Sequence, residues 1–182
     1  MPKLVSKKYE LDEIDKKIIT LLQNKPSLTH TQIAKKINKS QPTVGIRIKK
    51  LENKGILKFQ PGANFKKVDL ILATVELDTK SPSNVLDMVR FCPFMLNGFQ
   101  LTGDHNIFIL LVSSELERLN NIVDYHFRNN PEVKFVSMEI VTDIAKDFIF
   151  PLDLESDKLN PTKINGCGEK CTYKNRARSW TT

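Results

Sequence analysis

Cysteine, glycine, histidine and tryptophan are all scarce in this chain, which has three, seven, three and one of them among its 182 residues. Three cysteines with no export signal argue against a disulfide scaffold and for a reducing cytoplasm. So few glycines leave no glycine-rich phosphate loop. The histidines, His30, His105 and His126, stand in no spaced triad and no metal motif, and the sequence carries no catalytic signature. The longest unbroken apolar run is residues 107–112, far short of the ~20 residues that span a bilayer. The opening Met1-Pro2-Lys3-Leu4-Val5-Ser6-Lys7-Lys8 lacks the apolar stretch of a secretory signal. Yet 40% of the residues are apolar, enough to build a core and to exclude wholesale disorder.

What is plentiful is positive charge, and its placement is uneven. Residues 1–67 carry 16 Lys+Arg against 5 acids, a net of +11. Residues 68–153 carry 6 against 13, a net of −7, and residues 154–182 carry 6 against 3, a net of +3. A basic block of that size attracts polyanions through its summed potential, although a lysine-rich surface also serves solubility.

Within the basic block the pattern is helical. Asp12 is placed to cap a first helix with Ile14, Ile18, Leu21 and Leu22 on one stripe. Asn24-Lys25-Pro26-Ser27 breaks it. Thr29-x-x-Gln32 is a capping box for a second helix, with Leu28 and Ile33 at the spacing of a hydrophobic staple. That helix buries Ile33, Ala34 and Ile37 and stops at Asn38. After a turn of about three residues Ser40 caps a third helix, with Pro42 in its first turn, where a missing N–H costs little. Val44, Ile48 and Leu51 face its core, and Gly55 ends it. Helix, three-residue turn, helix is the helix-turn-helix arrangement, whose second helix enters a major groove. The spacing predicts Gln41, Thr43, Gly45, Arg47, Lys49 and Lys50 as its outward positions. Residues 56–59 read as a strand and Gln60-Pro61-Gly62 as a turn, which together suit a small wing.

Leu11-Asp12-Glu13-Ile14-Asp15, Ile33-Ala34-Lys35, Ser40-Gln41-Pro42-Thr43-Val44 and Arg47-Ile48-Lys49-Lys50-Leu51-Glu52-Asn53-Lys54-Gly55-Ile56, in that order and spacing, resemble the DNA-binding half of the Lrp/AsnC (feast/famine) transcription regulators. Gly45 and Ile46 stand where members of that family often carry Ser and a basic residue. The resemblance implies a sequence-specific regulator of double-stranded DNA in a prokaryotic cytoplasm. Lys35, Lys36, Lys39, Lys49 and Lys50 are then expected to neutralise phosphates. Gln41, Thr43 and Arg47 are expected to reach base edges, Arg47 at guanine, with Ser40 and Gly45 in the same contact surface.

The acidic block alternates differently. Residues 70–77 read as a strand, with Ile71, Ala73, Val75 and Leu77 on one face. Ser81 and Pro82 open a helix striped by Val85, Met88, Val89 and Cys92. Residues 95–102 and 106–112 read as two strands joined by Gly103-Asp104-His105, a hairpin signal. Ser114-x-x-Glu117 is a second capping box, before a helix with Leu116, Leu119, Val123 and Phe127 at helical spacing. Val136, Met138 and Ile140 alternate along a last strand. The order βαββαβ is that of the ferredoxin-like fold. Both helices must cover one face of its sheet. The other face, with Leu70, Leu72 and the unbroken run 107–112, is too apolar for water. Stacking on the same sheet of a second chain is the economical cover, so a homodimer is expected, and paired half-sites ask for two readers as well. Cover by the chain's own C-terminal segment is the alternative.

This half also resembles the regulatory (RAM) domain of the Lrp/AsnC family. The resemblance implies a small effector, usually an amino acid, at dimer–dimer contacts around Gly103, Asp104, His105 and Asn106, and assemblies up to a tetramer or octamer. Backbone N–H groups of a glycine-containing turn suit a carboxylate, and Asp104 suits an ammonium. A tight hairpin is the plainer reading of the same residues.

The expected organisation is therefore α+β: a winged helix-turn-helix domain at 1–62, a ferredoxin-like dimerisation and effector domain at 63–153, and a basic tail at 154–182. Cys167 and Cys171 in that tail form a C-x3-C pair, two thiolates where structural zinc wants four ligands, so they are weak candidates for metal. No cofactor is required by this reading and no membrane is involved. Two other functions compete with the regulator. One is an enzyme of the same fold, such as a siroheme decarboxylase, whose basic cleft would hold an anionic tetrapyrrole. The other is an architectural protein that coats DNA without sequence preference.

Overall fold

The computed structural model describes residues 11–152. Cys167, Cys171 and the rest of the basic tail lie outside the described residues. The backbone divides between Gln60 and Pro61 into two compact units, against the boundary at 62/63 that the sequence suggests.

The first unit is three short helices, α1 (Glu13–Asn24), α2 (His30–Ile37) and α3 (Gln41–Asn53). Each starts on a side chain that satisfies backbone donors the helix itself leaves without acceptors. Asp12 accepts from the N–H groups of Ile14 and Asp15 at 2.9 and 2.8 Å. At α2 the Thr29 hydroxyl accepts from the Gln32 N–H while the Gln32 side chain accepts from the Thr29 N–H, the reciprocal box that the sequence predicts. Ser40 accepts from the Thr43 N–H. The ends are equally defined. Asn38 adopts the left-handed conformation after α2, with φ 53°. Gly55 does so after α3 with φ 67°, a value that suits glycine. Around Gly55 the Ile56 N–H bonds to Leu51 O and the Gly55 N–H to Glu52 O, the two bonds of a Schellman ending. Ile18, Leu22, Ile33, Ala34, Val44 and Ile48 form the core of this unit.

One sequence expectation fails here: residues 56–59 form no strand. The N–H groups of Ile56 and Leu57 both turn back to Leu51 O, at 3.0 and 3.3 Å, so neither is available for a ladder. Leu57 tucks against the three-helix core instead, and Pro61 has no N–H to extend a ladder.

The second unit consists of β1 (Ala63–Asn64), β2 (Ile71–Thr79), α4 (Pro82–Phe91), β3 (Met95–Gln100), β4 (Ile107–Ser113), α5 (Leu116–Val123) running into a π-helical turn at Asp124–Arg128, β5 (Val133–Ile140) and β6 (Ile149–Phe150). The four long strands form one antiparallel sheet in the order β3-β4-β2-β5, the ferredoxin-like topology. Both helices cover the same face. Ala73, Val75 and Leu77 of β2 and Ile107, Ile109 and Leu111 of β4 pack there against Val85 and Met88 of α4 and Leu119, Ile122, Val123 and Phe127. The widened π turn keeps Phe127 fully buried in line with Val123.

Local details differ from the sequence reading. Ser114 and Glu117 form no capping box. Glu115 occupies the cap of α5 without a side-chain bond, because the Ser113 hydroxyl accepts from the Glu115 N–H and starts the turn one residue earlier. Leu116 is consequently exposed. Ser81 caps α4 by position, without a side-chain bond.

The opposite sheet face is divided. At one end Leu72 and Val112, paired across β2 and β4, are buried by the chain itself: Phe65, Val141, Ile144, Phe148, Phe150 and Leu152 close over them, tied by the β1–β6 pair. At this end the cover is the chain's own later segment, the alternative to a partner sheet. Beyond that end the face carries Phe99, Phe108, Leu110 and Phe135, with Phe99 and Phe135 44% and 43% exposed. Among the described residues no helix is long and apolar enough to cross a membrane.

Candidate nucleic-acid interface

The turn between α2 and α3 is Asn38-Lys39-Ser40, three residues, closed at one end by the left-handed Asn38 and at the other by the Ser40 cap. That geometry fixes α3 against α2 through Ile33, Ala34, Val44 and Ile48. Val44, Ile48 and Leu51 are buried, so the opposite side of α3 faces outward.

The sequence-predicted contact residues are then distributed unequally. Lys35, Lys36 and Lys39 on α2 and the turn, and Lys49 and Lys50 on α3, are all exposed, and none pairs with a carboxylate among the described residues. Gln41 is exposed at the first position of α3. Ser40 and Thr43 bond to each other, hydroxyl to hydroxyl at 2.7 Å, so the Thr43 side chain belongs to the cap. Gly45 is half-buried beneath the His30 imidazole.

Arg47 departs most from its predicted place. Its guanidinium does not project outward. It donates to Asp12 Oδ2 at 2.6 Å and to Asp15 Oδ1 at 2.8 Å, tying α3 to the start of α1. The two hydrogen bonds hold the guanidinium above its ordinary pKa. Asp12 is held below the usual carboxylate value, first by the Asp15 N–H and then by Arg47. Helical spacing places Arg47 three residues after Val44 and one before Ile48, at the border of the buried stripe, and Asp12 and Asp15 supply carboxylates there that no periodicity within α3 reveals. The residue missing from the predicted outward positions is Ile46, 70% exposed on α3. Its signal was available: it is two positions from both Val44 and Ile48, on the side opposite the core.

The hairpin between β3 and β4 is likewise only partly as expected. Gly103 and Asp104 are exposed. The His105 ring stacks on Phe135 with centroids 4.3 Å apart, and its buried Nδ1 has no hydrogen-bond partner among the described residues. Asn106 does not point its amide to solvent. Its Oδ1 accepts from the Thr79 N–H at 3.0 Å and its Nδ2 donates to Thr79 O at 2.7 Å, locking the start of β4 onto the end of β2. That pair of bonds uses one donor and one acceptor position of the amide and ties Asn106 to the fold. Among the described residues no group of three His, Cys, Asp or Glu is placed to hold a metal.

Known proteins match this arrangement. Residues 11–58 match a family model described as winged helix-turn-helix DNA-binding. A protein named as the uncharacterized HTH-type transcriptional regulator PH0140 of Pyrococcus horikoshii is 30% identical over 146 residues, which cover 78% of this chain and 92% of that protein. The transcriptional regulator AzlB of Bacillus subtilis is 28% identical over 151 residues, 79% of this chain and 96% of its own. Among solved structures, AsnC of E. coli has a TM-score of 0.64 at 19% identity, covering 76% of this chain and 96% of its own. The transcriptional regulator NMB0573 of Neisseria meningitidis, solved as a complex with L-Met, has a TM-score of 0.67 at 22% identity, covering 80% and 97%.

Proposed function

The chain belongs to the Lrp/AsnC family of DNA-binding transcription regulators, and on that premise we propose how it works: as a homodimer or larger assembly, in the cytoplasm, without catalysis and without a required cofactor, it lays one α3 per subunit into successive major grooves. The observation that carries this reading is the outward side of α2 and α3, where Lys35, Lys36, Lys39, Lys49 and Lys50 stand exposed around a helix held rigidly by its caps and core. Lysines that pair with no carboxylate among the described residues are the groups suited to displace counterions from phosphates. Gln41, free at the first position of α3, is the hydrogen-bonding reader, since a glutamine side chain matches adenine in the major groove. Arg47 is assigned the supporting role of fixing α3 against α1.

Dimerisation is supported by the exposed part of the sheet face. Phe99 and Phe108 pack ring against ring there with centroids 6.0 Å apart, and Leu110 extends the patch along β4, while Phe135 stands on β5 across Glu76 and Asp78 of β2. A second copy of the same face would remove these side chains from water. A small amino-acid-like effector is supported by the neighbour solved with L-Met; we assign it to the Gly103-Asp104-His105 turn, where Asp104 is the exposed charge suited to an ammonium group.

The test is binding of full-length protein to its own promoter region, by footprinting and by titration across salt concentrations, with and without a panel of amino acids. Lys50→Ala is expected to weaken binding to all sequences and to lower the slope of log K against log salt by about 0.9, the share of one phosphate contact. A sample that stays monomeric at micromolar concentration and retains no duplex in dilute buffer overturns the reading.

A further inference from the structure

We propose that Ile46 recognises a thymine C5-methyl group, so that the centre of the reading helix selects its base pair by an apolar contact and not by a hydrogen bond. The inference rests on the docking of α3 proposed above. Ile46 is the sixth residue of α3 and, at 70% exposure, the most exposed large apolar side chain among the described residues. It lies four residues after Pro42 and three and four before Lys49 and Lys50, on the same outward face.

The α3 side chains at its flanks and one turn before it are absent, apolar or already bonded within the protein. Gly45 has no side chain, and the His30 imidazole covers its flank: a Cβ there would stand 3.3 Å from His30 Nδ1. Arg47 is turned away to Asp12 and Asp15. Pro42 has neither a polar side chain nor an N–H. Thr43, one turn earlier and half-buried, has its hydroxyl bonded to Ser40, and the exposed polar and charged side chains of α3 resume with Gln41 before and Lys49 and Lys50 after. The lysines position the helix on phosphates and Gln41 reaches a base edge, while the most exposed side chain of the middle is hydrocarbon.

The major groove has one partner for hydrocarbon. Guanine presents N7 and O6, adenine N7 and the N6 amino group, cytosine its N4 amino group, and each of these loses a water without gaining a bond when an isoleucine covers it. Thymine presents its C5-methyl beside O4, and burying methyl against isoleucine is favourable in the way any apolar burial is. The same side chain therefore attracts a T·A pair and disfavours G·C at that position.

The experiment begins with full-length protein selecting its preferred duplex from a random-sequence library. Each thymine of the selected half-site is then replaced singly by deoxyuridine, which removes only the methyl. The expected result is one position per half-site at which deoxyuridine weakens binding about four-fold, the worth of one buried methyl. Ile46→Ala is expected to bring the thymine-to-uracil ratio at that position close to one and to leave the salt slope unchanged. Since Ile46 makes no core contact, the variant keeps the wild-type melting curve, and the deoxyuridine series needs no variant. Equal affinity for thymine and uracil at every half-site position, a half-site without thymine, or an Ile46→Ala protein that still discriminates the methyl overturns this inference while leaving the DNA-binding reading intact. A protein that retains no duplex at any salt concentration overturns both.

Discussion

The two units keep their helices in place by different means. In the first, every helix begins on a side-chain bond, from Asp12, Thr29 with Gln32, and Ser40. In the second, neither α4 nor α5 does, although Ser81 and Glu115 stand at their caps. The difference follows core size. The three short helices share a cluster of six buried residues, whereas α4 and α5 rest on a sheet with a cluster of fifteen. Helices of 8 to 13 residues are marginal on propensity alone and need end contacts or tertiary packing. Where packing is thin, caps make up the deficit. The first unit is also the basic one, and its lysines gain nothing by being near one another, so each local bond carries more of the stability. The difference teaches that a surface given over to binding is held from behind and from its ends.

The largest effect that tests this contrast lies in the sheet. Ile109 is fully buried at the centre of β4, between the sheet and both helices. Ile109→Ala is expected to cost about 4 kcal/mol, the transfer loss plus an uncollapsed cavity, read by chemical denaturation. A cost below about 1 kcal/mol would mean that the large core is loosely packed and the contrast with the first unit is wrong.

Acid gives the next effect, again in the second unit. Burial pushes the His126 imidazole down to about 4 from an ordinary value of 6.5. The folded state therefore refuses a proton that the unfolded chain accepts between those two values. Stability is complete above pH 6.5 and falls as pH drops toward 4, by about 2–3 kcal/mol at the foot of the window. His126→Gln, which cannot titrate, should remove this component and flatten the melting temperature over the same range. An unchanged slope in the variant would assign the acid sensitivity elsewhere.

Arg47 probes the join of α3 to α1. Arg47→Ala leaves Asp15, whose side chain is 11% exposed, without its guanidinium partner. A cost of about 2 kcal/mol is expected, the penalty of a largely buried acceptor left unpaired. Arg47→Lys should recover only part, since Nη1 alone donates to both carboxylates and an ammonium on a flexible four-carbon stem holds that position less firmly. Loss of base discrimination at a guanine with no loss of stability would return Arg47 to the reader's role that the sequence suggested.

Periodicity and caps made most of this legible in advance. The three helices of the first unit, the βαββαβ order and the strands' inward faces all follow from apolar spacing and from Asp12, Thr29, Ser40 and Pro82. Three features escaped for one shared reason, dependence on groups distant in sequence, and a fourth is local. Arg47 meets Asp12 and Asp15, more than thirty residues away. Asn106 meets Thr79, twenty-seven residues back. The sheet's second face is partly closed by residues 141–152, whose irregular stretch carries no period. The missing wing strand is a competition for donors at the end of α3, visible only once the Schellman bonds are in place. Ile46 is the exception, since helical spacing alone puts it opposite the core.

The smallest effect is the most direct test of the contrast. Ser40→Ala and Ser81→Ala make the same chemical change at the same helix position in the two units. At Ser40 the hydroxyl accepts from the Thr43 N–H and bonds the Thr43 hydroxyl, so its loss should cost about 1 kcal/mol, the usual worth of a cap. At Ser81 the side chain caps nothing, and the Ser81 N–H is already bonded to Thr79 Oγ1. Its replacement should stay within about 0.5 kcal/mol, the range of an ordinary surface change. Because both are serines before an early proline, helix propensity and unfolded-state effects largely cancel in the difference. The two costs are read from the same denaturation series. Equal costs would show that the side-chain bond at α3 adds nothing beyond cap position, and the account of thin packing compensated by caps would fall with it.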